Sequence, residues 1–221
     1  MPARRIAPSI LSADFAHLGA QVQEVVAAGA TLIHVDVMDG HFVPPLSMGP
    51  QVVSALRDLG LDGVELDVHL MIERPERQVA DFARAGASNI TVHAEATPHV
   101  HYAVQHIREA GCTAGVAICP STPPAVYGEL DVDVALCMTV NPGWGGQAFI
   151  PSSLDKVRRI RSLVGERTHI EVDGGIDADT AGPAADAGAT LFVAGSAIFG
   201  APDPAAAYQQ IAAAAGCSQH E

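Results

Sequence analysis

The chain has 221 residues, 48% of them hydrophobic, which is enough for one sizeable core and too little for several large domains. Its 25 acidic residues against 12 basic give a net charge of −13, which argues against nucleic acid or an anionic membrane as partner. No apolar run approaches the roughly 20 residues of a membrane span, and the apolar stretch in "MPARRIAPSIL" is too short for a secretory signal.

The four cysteines, Cys112, Cys119, Cys137 and Cys217, show no Cys-x-x-Cys spacing and read as reduced structural thiols. A cytoplasmic protein is expected. In chain order, apolar strand-like runs fall at residues 5–11, 32–38, 64–71, 89–94, 113–119, 133–140, 169–173 and 190–195. Stretches of helical period separate them, such as "FAHLGAQVQEVVAAG" and "PERQVADFARAG". Gly29, Gly60, Gly86, Gly111, Gly165 and Gly188 stand where helix C-caps are expected. Units of about 27 residues, each a strand then a helix, would fill nearly the whole chain eight times over.

Alternating strands and helices imply parallel strands, and eight units predict an α/β protein: a (β/α)8 TIM barrel, one domain over 1–221. A doubly wound open sheet would carry a Gly-rich turn after its first strand, and "SILSADFAHLG" has none. The fifth unit is irregular, because "PSTPPAVYGELD" leaves room only for a short helix.

The second strand, "LIHVDVM", alternates Ile33, Val35 and Val37 with His34, Asp36 and Met38. In a barrel the first set can face helices while the second points inward, with its chemistry at the C-terminal end. The third strand repeats the pattern with Asp67, His69 and Met71, and the seventh ends on Asp173, in phase with Glu171. His34, Asp36, His69 and Asp173 therefore converge on one mouth, and two buried carboxylates with two imidazoles suit a divalent transition metal. His93 and Glu95, ending the fourth strand, are a rival ligand set or partners of the first.

Glycine-rich turns follow three neighbouring strands: "NPGWGGQ", "DGGI" and "AGS". Such turns let backbone N–H groups approach an anion, which points to phosphate. Lys156 is the only lysine and lies in a helical stretch, so backbone amides must do most of the holding and a Schiff-base aldolase is disfavoured. Met38, Met71 and Met138 each stand near a strand end, either as core filler or as a polarisable, non-titrating wall.

The segments "APSILSADF", "HVDVMDGHFVP", "DVHLMI", "VNPGWGGQ", "EVDGGI" and "VAGSAIFG" together resemble the ribulose-phosphate 3-epimerase family, from about residue 4 to residue 208. The resemblance implies one divalent ion per subunit, zinc or iron(II) first and manganese or cobalt as alternatives, held by His34, Asp36, His69 and Asp173. It implies Asp36 and Asp173 as the acid/base pair, and Ser9 and His69 as substrate contacts. Phosphate is expected against Gly143, Trp144, Gly145, Gly146, Gly174, Gly175, Gly195 and Ser196, and the chain is expected to be a homo-oligomer, a dimer or a hexamer.

Three departures from the family pattern stand out: "PPLSMG" at 44–49 in place of Pro-Asn-Leu-Thr-Phe-Gly, Trp144 in place of Phe, and Cys119 in place of Asn. The expected reaction interconverts D-ribulose 5-phosphate and D-xylulose 5-phosphate through a metal-stabilised cis-enediolate. Inverting a carbon beside a ketone asks for one acid on each face, and two carboxylates meet that need. A D-allulose 6-phosphate epimerase would use the same residues. The related decarboxylases and aldol-type synthases need an Asp-x-Lys where this chain has Asp36 and Met38. A non-catalytic sugar-phosphate binder would show a lost carboxylate or ligand, and none is missing.

Overall fold

The computed structural model describes residues 2–217. Eight strands, β1 (Arg5–Pro8), β2 (Leu32–Met38), β3 (Glu65–Met71), β4 (Asn89–His93), β5 (Thr113–Ile118), β6 (Val134–Met138), β7 (His169–Asp173) and β8 (Leu191–Ala194), form one parallel sheet. Each pairs with its sequence neighbour, β1 pairs with β8, and a parallel bridge from Ser9 to His34 joins β1 to β2. The sheet is thus a barrel, as the eight-unit rhythm predicts.

Helices α1 (Leu18–Ala27), α2 (Pro50–Asp58), α3 (Val79–Ala85), α4 (Val100–Glu109), α5 (Ser153–Leu163), α6 (Ala181–Ala187), α7 (Ser196–Phe199) and α8 (Pro204–Ala215) connect the strands. The fifth unit has only a 3-10 turn, Pro124–Gly128, because Pro120, Pro123 and Pro124 deny the backbone donors an α-helix needs. Its Tyr127 is buried, with the hydroxyl 2.8 Å from the carbonyls of Val116 and Leu136, and this ties the turn to β5 and β6.

Two sequence expectations are corrected. The first run, 5–11, is strand only to Pro8: the Ser9 hydroxyl accepts from the Leu11 amide and starts a 3-10 turn over Ile10–Ser12. Gly165 is not a helix cap, since α5 ends on Val164 in extended conformation, so no left-handed residue is needed there. Gly29, Gly60, Gly86, Gly111 and Gly188 do close their helices with positive φ.

Apolar residues divide between two sides of the sheet. Ile33, Val35 and Val37 on β2, with Leu66, Val68 and Leu70 on β3, join the large core beneath the helices. Inside the barrel, Ala7, Leu32, Val134, Leu191 and Val193 form one apolar cluster that rises from the strand starts to Val193 beneath the cleft. The β2–β3 register pairs His34 with Asp67, Asp36 with His69 and Met38 with Met71, and β6 sets Met138 beside Asp173. Polar groups therefore occupy the interior above an apolar floor.

Candidate active site

At the C-terminal mouth the interior polar residues meet. His34, Asp36, His69 and Asp173 each present a ligand atom within 4.8 Å of all the others. His34 Nε2 lies 3.3 Å from Asp36 Oδ1, and His69 Nδ1 lies 3.3 Å from Asp36 Oδ1 and 3.4 Å from Asp173 Oδ2. Both histidines are fully buried and Asp36 is 4% exposed, whereas the Asp173 side chain, at 13%, borders the opening.

Further contacts fix which ring nitrogen faces this cluster. His34 Nδ1 is 2.7 Å from Asp67 Oδ2, so the ring donates there and turns Nε2, which has no hydrogen-bond partner, toward Asp36. His69 Nε2 meets His93 Nε2 at 2.9 Å, and its Nδ1 is turned to the two aspartates. Asp67 is also held by Asn89 Nδ2. Neither Asp67 nor Glu171 appears among the sequence-derived candidates; the signals for them are the inward phase they share with His69 and Asp173 and their place in "DVHLMI" and "EVDGGI".

Electrostatics point to a cation. Burial alone would lower the pKa of His34, but Asp36 and Asp67 reverse this and raise it well above the ordinary range. Burial likewise works against His69, and Asp173 and Asp36 raise it. Burial opposes the charge on Asp36, yet His34 and His69 hold its carboxyl well below the usual carboxylate range. Burial and then Asp67 push Glu171 well above it. The four side chains draw in positive charge, and an orphaned imidazole nitrogen beside two carboxylates fits a divalent metal ion.

The cleft over this cluster is lined by Ser9, Asp36, Met38, Met71, Met138, Trp144, Gly145, Gly146, Asp173, Gly174, Gly175, Gly195 and Ser196, all named from sequence. His34 and His69 lie beneath its surface, and Gly143 stands outside it, packed against Val43 and Pro45. Leu11, Ser12, Val140, Gln147, Ile176 and Val193 also line it; each lies within a family-like segment, but none is a residue type that by itself marks a lining position. No lysine or arginine lines the cleft among the described residues. Lys156 instead donates to the carbonyls of Cys119, Pro120 and Thr122.

Met38 and Met71 pack with Val43, and Met138 packs with Ala117, Leu136 and Val140, so the methionines are both core and wall. The Ser9 hydroxyl donates to Asp36 Oδ2 at 2.6 Å. Ser47 donates from Oγ to the Asp36 carbonyl at 2.7 Å and accepts from the Met38 amide at 2.9 Å. The "PPLSMG" departure thus keeps a hydroxyl where the family pattern has Thr, and that hydroxyl clamps the strand bearing Asp36.

Gly174 and Gly175 have φ of 115° and 67°, and a Cβ would overlap Val140 at the first and the Phe149 backbone at the second. Gly174→Ala is expected to lower stability by about 2–4 kcal/mol, read as a fall in Tm.

The chain matches the model of the "Ribulose-phosphate 3 epimerase family" over residues 5–199. It belongs to the ribulose-phosphate 3-epimerase family. Relatives bearing the name ribulose-phosphate 3-epimerase include one from Bacillus subtilis, 49% identical and covering 94% of this chain and 97% of its own. Another, from Escherichia coli K12, is 51% identical and covers 90% of each chain. Membership makes this chain an isomerase acting on carbohydrate.

Solved structures share the barrel at low identity. A 3-hexulose-6-phosphate synthase from Salmonella typhimurium superposes with TM-score 0.73 at 20% identity, over 96% of this chain and 98% of its own. An orotidine 5'-phosphate decarboxylase from Pyrococcus horikoshii gives 0.71 at 20%, over 96% and 100%. These likenesses concern the fold alone. No helix among the described residues is long and apolar enough to cross a membrane.

Proposed function

We propose that this epimerase interconverts D-ribulose 5-phosphate and D-xylulose 5-phosphate, with Asp36 and Asp173 as its proton-transfer pair. The observation that carries the reading is the placement of two carboxylates on β2 and β7, three positions apart around the ring, at one cleft and against one buried histidine. A sugar carbon seated between them has an acid or base within reach from two sides.

His34, Asp36, His69 and Asp173 would hold the divalent ion, zinc or iron(II). When bound, such an ion supplies positive charge against the negative charge that develops on the substrate's oxygens. Asp36 takes the C3 proton in one direction while Asp173 returns one to the opposite face, and the roles exchange in reverse. Ser9, donating to Asp36 Oδ2, fixes the carboxylate's orientation and leaves Oδ1 toward the histidines.

Met38, Met71 and Met138 exclude water from the reacting carbon without competing for its proton. The phosphate lies against Gly145, Gly146, Gly174, Gly175, Gly195 and Ser196, where bare backbone permits close approach and the short α7 begins.

The direct test is NMR of D-ribulose 5-phosphate with the protein in D2O, before and after chelation. Xylulose 5-phosphate deuterated at C3, formed with metal and not after chelator, is expected. Rapid unlabelled turnover, or full activity after the metal is removed, would sink the scheme. Running the six-carbon ketose phosphates alongside decides chain length: kcat/KM is expected to favour the pentulose.

A further inference from the structure

We propose that Cys119 Sγ, His93 Nδ1 and Glu95 Oε2 form a second cation site, for a thiophilic divalent ion such as Zn2+ or Cd2+, behind the catalytic cluster. Cys119 Sγ is 3.6 Å from His93 Nδ1, and His93 Nδ1 is 3.2 Å from Glu95 Oε2, with all three ligand atoms within 4.8 Å of one another. A tetrahedral zinc ion with ordinary bond lengths holds sulfur, nitrogen and oxygen ligands roughly 3.2–3.6 Å apart, and the Cys119–His93 and His93–Glu95 pairs already stand at that spacing. One thiol, one imidazole and one carboxylate is a donor set that selects zinc-like ions over calcium or magnesium.

The surroundings hold these donors in place. Glu95 Oε1 accepts from the Cys119 amide at 2.8 Å and from the Thr122 hydroxyl, which leaves Oε2 for an ion. Lys156 binds the loop's carbonyls on Cys119, Pro120 and Thr122, so the loop bearing the thiol is itself anchored to α5. His93 is fully buried, its ring packed 4.7 Å from that of Phe42, whereas the Glu95 side chain is 26% exposed and leaves a fourth position open to water. Burial and the Glu95 carboxylate push the Cys119 thiol up to about 12, a penalty that a cation among the three donors removes. On binding, the thiol proton leaves to water and a sulfur–metal bond takes its place.

Equilibrium dialysis against CdCl2, with the ultraviolet thiolate-to-cadmium band recorded in parallel, tests the site without substrate and so independently of the proposed reaction. The wild type is expected to bind two ions per chain and show the band; Cys119→Ser is expected to bind one and lack it. One ion and no band in the wild type, or the same band in Cys119→Ser, overturns the site.

Discussion

Asp173→Asn is expected to slow epimerisation by about 10²–10⁴-fold while still allowing hydrogen exchange at C3 of one epimer. The reason is the division of labour between the two acids. Asp36 sits on β2, buried and hydrogen-bonded by Ser9, and Asp173 ends β7 at the cleft's edge. If each serves one face of the carbon, deleting one leaves the other able to remove and return a proton on its own side. Solvent deuterium then enters one epimer without inversion, and Asp36→Asn gives the mirror result with the other epimer. The measurement is NMR in D2O starting from each epimer, on protein shown to retain metal. Loss of exchange from both epimers together would mean that a single group does both transfers. Near-normal turnover in either variant removes that acid from the reaction.

The second large effect concerns Asp67, which touches no part of the cleft. Asp67→Ala is expected to destabilise the protein by about 3–5 kcal/mol, because it takes a carboxylate from two buried groups at once. His34 Nδ1 loses its 2.7 Å acceptor and Asn89 loses its carboxylate. In a chain of this size that is a fall in Tm of roughly 10 °C.

Metal affinity is expected to fall by about 10–100-fold as well, since nothing then holds the His34 ring with Nε2 toward Asp36. Thermal melts of chelator-treated protein isolate the stability term, and competition with a coloured chelator gives the affinity. Glu171→Gln is the control: it keeps the side chain's shape and cannot ionise, and with burial and Asp67 pushing the Glu171 carboxyl well above the usual range its Tm is expected to stay within a few degrees of wild type. A large loss there would show that Glu171 is ionised and bears charge in the network.

The barrel was legible before any coordinates, because period-2 apolar runs and helix-closing glycines are local signals. Ile33, Val35 and Val37 alternate with His34, Asp36 and Met38 whatever surrounds them, and that alternation alone assigns the two faces. His34, Asp36, His69 and Asp173 were visible for the same reason, each being an inward position near a strand's end. Gly165 misled because a glycine after a helical stretch is equally at home in an extended turn, and local pattern does not distinguish the two.

The partners of those residues needed the tertiary fold. That Asp67 meets His34, that His93 meets His69 and that Ser47 clamps Asp36 follows from strand register and loop return. The same is true of Cys119, whose thiol comes beside His93 only because β4 and β5 pair in parallel, with His93 opposite Ala117. Periodicity along one strand says which way a side chain points; only the closed ring decides which other side chain it finds there.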